Sequence, residues 1–170
     1  MNSNEYIVDE LEKNAMVLHS LLLSATPIEQ LYKPAPDKWC LLEIVCHLYD
    51  EEREDFRARL KHILEKNPEE FPAIDPAGWV ISRSYLQQNY EEKLQQFLDE
   101  RVTSIHWLRQ LDHPDWSLYY EHPRFGKMSA KLFLSNWLAH DYHHIRQIVS
   151  VKHAWLKNES DEPLTYAGDW

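Results

Sequence analysis

The sequence predicts an all-α protein, a four-helix bundle built as one domain over residues 1–170. Three observations predict it. Four long segments carry apolar residues at the three- and four-residue spacing of an amphipathic helix. No segment shows the strict two-residue alternation of a strand. No internal repeat or low-complexity tract divides the chain. Four long helices in a chain of this size bury their apolar stripes against one another.

The first helix is expected over 4–24, where Ile7, Leu11, Leu18, Leu21 and Leu22 share a face, and it must end before Pro27. Thr26-Pro-Ile-Glu29 has the form of a capping box with Pro at the first helical position, so a short extra turn follows. Pro34 and Pro36 then break the chain. A second long helix starts around Trp39 and runs to about Lys66 on a stripe of Leu41, Val45, Leu48, Phe56, Leu60 and Ile63. The connection from Asn67 to Arg83 holds Pro68, Pro72 and Pro76 and is longer than most helix–helix links. Such a crossover reaches across an end of the bundle and predicts parallel second and third helices. The third helix, about Ser84–Leu111, carries Tyr90, Leu94, Phe97, Ile105 and Leu108. An aromatic-rich loop from His113 to Gly126 follows, and Ser129 is the expected N-cap of a fourth helix reaching about Ala154. The tail from Lys157 has no periodicity, but its closing Tyr166-Ala-Gly-Asp-Trp170 predicts docking on the body.

Composition narrows the function classes. Eighteen basic against 28 acidic residues give a formal charge of −10, which opposes binding to a phosphate backbone. Arg53, Arg57, Arg59 and Lys61 are interleaved with acids and read as a solvated helix face. No apolar run approaches the ~20 residues of a membrane span, and no signal-peptide pattern is visible. Cys40 and Cys46 are too few for a disulfide framework, so reduced thiols in a cytoplasm are expected. Seven Trp and nine Tyr suit core and pocket walls.

The chemistry concentrates in Asn136-Trp-Leu-Ala-His140-Asp-Tyr-His143-His144-Ile-Arg-Gln-Ile148. At about 100° per residue, His140 and His144 point to nearly the same side, together with Phe133, Trp137, Ile148, Val151 and Trp155. His143 falls about 60° off that stripe. Imidazoles one helical turn apart on an inward face can clasp one metal ion, but two make only half a site. On the second helix, His47 lies at the edge of the stripe beside Ile44, next to a polar band of Glu43, Asp50, Glu51 and Glu54. A histidine there borders a cleft.

These residues together resemble the DinB/YfiT-like superfamily of four-helix bundle proteins. The matching features are Trp39, Glu43-Ile-Val-Cys-His47-Leu-Tyr-Asp50, Phe97-Leu-Asp-Glu-Arg101, Phe125-Gly126 and Trp137-Leu-Ala-His140-Asp-Tyr-His-His144-Ile-Arg-Gln147-Ile. The likeness spans about residues 5 to 155. It implies an up-down-down-up bundle, frequent dimerisation, and a metal triad that maps onto His47, His140 and His144. It also implies a metal-dependent transferase or isomerase acting with a low-molecular-weight thiol on a small-molecule substrate, although many similar proteins have no assigned reaction.

Three neutral imidazoles leave a divalent ion at least one position for an incoming ligand. The ion can act there as a Lewis acid or stabilise a bound thiolate. Nitrogen ligation suits Zn, Ni, Fe or Cu without choosing between them. Asp50 and Asp141 are candidate acceptors of imidazole N–H groups, against the alternative that each is a surface acid. Arg101 is a candidate anchor for an anionic substrate, against the commoner fate of a structural ion pair. Glu54 lies two turns from His47, too far for a general base. Cys46 points away from His47 and reads as packing. His143, His19 and His62 read as helical surface residues and His122 as a loop residue. The competing functions are a metal-binding stress-response protein without turnover, and an interaction module whose histidines are structural.

Overall fold

A computed structural model describes residues 3–168 and 170, so Asp169 of the tail lies outside the described residues. Helix α1 spans Ser3–Leu22 and α2 spans Pro27–Leu31, with Thr26 Oγ1 accepting from the Glu29 amide as the capping box requires. The second long helix is a composite of α3 (Leu41–Glu51), one π-helical turn (Glu52–Phe56) and α4 (Arg57–Leu64). At its start the Glu43 carboxylate accepts from the Cys40 amide at 2.9 Å and from Lys33 Nζ at 2.7 Å.

The long connection after α4 is not structureless. It contains α5 (Pro76–Ser82), capped by Asp75, whose Oδ1 accepts from the Gly78 amide at 3.1 Å. A Cβ on Gly78 would lie 1.9 Å from the Asp75 carboxylate as it stands, so a larger residue there would require that side chain to shift. The third long helix, α6 (Tyr90–Gln110), begins later than the apolar pattern suggests. Ser84 adopts a left-handed conformation (φ 50°) and a 3₁₀ turn occupies Tyr85–Gln87, so the helix restarts at Asn89, whose side chain accepts from the Glu92 amide at 2.8 Å.

The expected absence of strands does not hold. β1 (Tyr119–His122) and β2 (Gly126–Ser129) form an antiparallel hairpin pairing Tyr119 with Ser129 and His122 with Gly126. Four-residue strands give too short a run for alternation to be read, and pairing across the turn makes them. Helix α7 (Ala130–Ser160) follows, with Ser129 Oγ accepting from the Leu132 amide at 3.1 Å. Of the terminal aromatics, Trp170 stacks on His153 with ring centroids 4.3 Å apart, while Tyr166 is fully exposed.

Contacts along the long helices run in a consistent order. On α1 and α6, Leu22 meets Tyr90, Leu11 meets Arg101, and Asp9 meets Arg109. The α3–α4 composite meets α6 through Tyr49 with Lys93, Glu52 with Arg101, and Arg57 with Ser104. It meets α7 through His47 with His144 and Glu52 with Trp137.

The apolar interior forms two clusters. One gathers Leu18, Leu22, Leu41, Val45, Leu94, Phe97 and Ile148; the other gathers Leu11, Phe56, Leu60, Ile105, Phe133 and Leu134. A polar layer lies between them. At its centre Arg101, 1% exposed, binds Glu52 at 2.8 and 2.9 Å, Asp141 at 2.7 and 2.8 Å, and the Leu11 carbonyl at 3.0 Å. Trp137 Nε1 donates to Glu52 at 2.9 Å, and Asn14 donates to Asp141 at 3.3 Å. Arg101→Ala leaves two buried carboxylates without their cation. The expected cost is about 3–5 kcal/mol, read as a drop in the urea midpoint.

Candidate metal centre

The polar layer continues from Asp141 into the histidine cluster, because successive residues of α7 turn His140 and Asp141 onto adjacent faces. His140 and His144 stand one turn apart on α7, and His47 reaches them from α3. His140 Nε2 lies 3.2 Å from His47 Nε2 and 3.0 Å from His144 Nε2. The three ligand atoms all fall within 4.8 Å of one another, and they are the one such group of His, Cys, Asp or Glu among the described residues.

This geometry fits a divalent ion. Nitrogens about 2.0–2.1 Å from a tetrahedral centre stand roughly 3.3 Å apart, close to the spacing observed. Protein hydrogen bonding cannot satisfy it, because one proton on His140 Nε2 serves only one of its two neighbouring nitrogens. Burial is the first cause that pushes His47 down to about 3 and His144 down to about 4, and it holds His140 far below the ordinary histidine range. The imidazoles are therefore neutral, as ligation requires.

The acceptor that orients an imidazole is neither predicted aspartate. His144 Nδ1 is 2.7 Å from Gln147 Oε1, which directs Nε2 inward. Asp50 instead binds Tyr85 Oη at 2.7 Å and the guanidinium groups of Arg53 and Arg83, and Asp141 is committed to Arg101 and Asn14. Arg101 takes the structural ion-pair alternative, with no face toward the cleft. Gln147, three residues after His144, was within reach of the helical neighbour rule. Glu54 is held by Arg53 and Arg83, and the Cys46 thiol, raised by burial to about 12, lies against the Tyr85 carbonyl.

A cleft of about 410 Å³ opens on the three histidines and is lined also by Asp37, Lys38, Trp39, His143 and Gln147. Trp39 packs its ring 4.9 Å from that of His47, forming one wall, and exposed His143 stands at the rim. His19, His62 and His122 are outside the cleft; His62 packs between Phe71 and Tyr120.

The fold and the site define a class: a helical bundle with a three-histidine group at the base of an open cleft. The chain belongs to the DinB superfamily, whose sequence pattern matches residues 10–148. Among solved structures it is similar to YfiT from Bacillus subtilis, described as a probable metal-dependent hydrolase with an unusual four-helix bundle topology. That match has a TM-score of 0.78 at 17% identity and covers 88% of this chain and 86% of YfiT. No functionally curated protein matches the sequence.

Two outcomes follow from the site geometry. Gln147→Leu frees the His144 ring, so metal affinity in a chelator competition should fall about 10–100-fold with helix content unchanged. Because His47 and His144 are depressed in the folded chain, the unfolded chain takes up their protons first. Their contribution is complete above pH 6.5 and is lost as pH falls from there toward about 4 for His144 and about 3 for His47. The melting temperature of metal-free protein should drop across that window, and less so in a His47→Gln/His144→Gln variant.

Proposed function

We propose that the protein is a divalent-metal-dependent enzyme that adds or removes a small thiol at an electrophilic centre of a small molecule, or carries out a related hydrolysis or isomerisation. The observation that carries this reading is the convergence of three neutral imidazole nitrogens on one point at the base of an open cleft. His47, His140 and His144 would hold the ion through Nε2. Bound there, the ion supplies Lewis acidity at a coordination position facing the cleft. Zn, Ni and Fe suit the donor set alike.

The rest of the chain prepares that position. Gln147 fixes the His144 ring, Trp39 excludes water from one side, and Lys38 and His143 give the mouth polar groups that meet an incoming substrate. The helix order supports an up-down-down-up bundle: α6 opposes α1, the α3–α4 composite runs with α6, and α7 opposes that composite. Free, buried Cys40 and Cys46 accord with a cytoplasmic protein, and no helix among the described residues is long and apolar enough to cross a membrane.

Elemental analysis of untagged protein tests the site. About one divalent ion per chain is expected in the wild type, with loss in His47→Ala and His140→Ala. Chelator should lower the melting temperature of the wild type alone, since an ion at 100 times its Kd stabilises the fold by about 2.7 kcal/mol. Thiol conjugation to an electrophile, followed with the metal-loaded protein, tests the reaction. Full metal occupancy without rate enhancement would replace the enzyme reading by that of a metal-binding stress-response protein.

A further inference from the structure

Glu51 follows His47 by four residues on α3 and therefore projects on the same side of the helix, one turn further along. Its side chain is buried, with the residue 4% exposed. Oε2 lies 4.0 Å from His140 Nε2, whereas Oε1 is buried and meets no hydrogen-bond partner. Of the neighbouring acids, Glu52 holds Arg101, and Asp55 has Arg59 as an ion-pair partner at 3.1 Å, although its Oδ1, like Glu51 Oε1, makes no hydrogen bond. Among the described residues, no lysine or arginine stands within ion-pair distance of Glu51; the Asp55 carboxyl lies within hydrogen-bonding reach of it, and His140, Asp50 and the more distant Arg59 also face it.

A carboxyl buried without a cation beside it is costly, and its retention calls for a reason. Core packing supplies none, because an apolar side chain would fill the same space without that cost. A metal held by three neutral imidazoles does supply one, since its charge is otherwise uncompensated in a buried setting. The 4.0 Å from Glu51 to His140 exceeds the 3.0–3.2 Å between imidazole nitrogens. The carboxylate is thus set back from the ligand atoms, at the range of a group that touches what the ion binds.

Resting on the metal reading above, we propose that Glu51 is a fourth functional side chain of the centre. It accepts a hydrogen bond from the proton-bearing molecule that occupies the open coordination position, and it opposes anions that carry no proton. This provides the proton acceptor that Glu54, locked between Arg53 and Arg83, cannot be. It also selects protic ligands such as water, thiols and hydroxamates over bare anions.

The test uses cobalt(II)-loaded full-length protein and two probes followed by the visible cobalt spectrum: azide, an anion without a proton, and acetohydroxamate, whose N–H can donate. Glu51→Gln and Glu51→Ala should each keep about one cobalt per chain with unchanged helix content, and their cobalt affinity should fall about 10-fold. Azide should bind both variants about 10-fold tighter than wild type, through removal of a like charge. Acetohydroxamate should bind Glu51→Ala about 10-fold more weakly. Unchanged affinities for both probes would overturn the proposal and make Glu51 a structural buried acid. Complete loss of cobalt from folded Glu51→Gln would overturn it in favour of direct ligation. Wild-type protein that takes up no cobalt would instead overturn the metal reading itself, and this inference with it.

Discussion

The guanidinium of Arg101 is the point on which the bundle closes. It draws one carboxylate from the second long helix, one from α7 and a carbonyl from α1, so every long helix contributes a group to a single buried cation. Two apolar clusters alone would tolerate sliding of one helix past another. A bidentate guanidinium–carboxylate pair does not, because its geometry is satisfied at one register only. The same burial that makes the pair expensive to form makes it more expensive to break, since either carboxylate left alone would face the interior unpaired.

The histidine cluster borrows this register. Asp141, held by Arg101, is the chain neighbour of His140, and Glu52, held by the same cation, is the neighbour of Glu51. Fixing two adjacent residues on two facing helices fixes the imidazole of one and the carboxyl of the other. The π-helical turn at Glu52–Phe56 matters here. Single π turns recur at functional sites because the extra residue rotates the following helix. In this chain it begins at Glu52, directly after Glu51, so that Glu52 turns to Arg101 while Glu51 lies beside His140, and the apolar stripe resumes on the inner face at Phe56 and Leu60.

Charge is distributed accordingly. The outward acids give the chain its negative balance, but the inward ones are each committed: Glu43 caps a helix, Asp50 binds Tyr85, Arg53 and Arg83, and Glu52 and Asp141 hold Arg101. Against that background Glu51, a buried carboxyl with no lysine or arginine in ion-pair reach among the described residues, stands apart. The cleft mouth is different in kind, with Trp39 as wall and Lys38 and His143 as polar rim.

The sequence by itself determined the four long helices, the caps at Thr26 and Ser129, and the pairing of His140 with His144, because helical periodicity and capping are local in the chain. It also paired His47 with them through resemblance to a family. What only the tertiary structure decided were matters of which side chains meet across helices. Asp50 and Asp141 were equally credible imidazole acceptors until their partners Tyr85 and Arg101 were in view, and Gln147 took the role instead. Arg101 could be weighed between substrate and structure, and burial at the helix crossing settled it. The hairpin at Tyr119–Ser129 escaped because four residues carry no readable alternation, and α6 started late because a left-handed Ser84 interrupts an otherwise helical pattern. Glu51 was visible only as one member of a polar band. Its partnerless oxygen and its distance to His140 are properties of the packed bundle, which no spacing along one helix encodes.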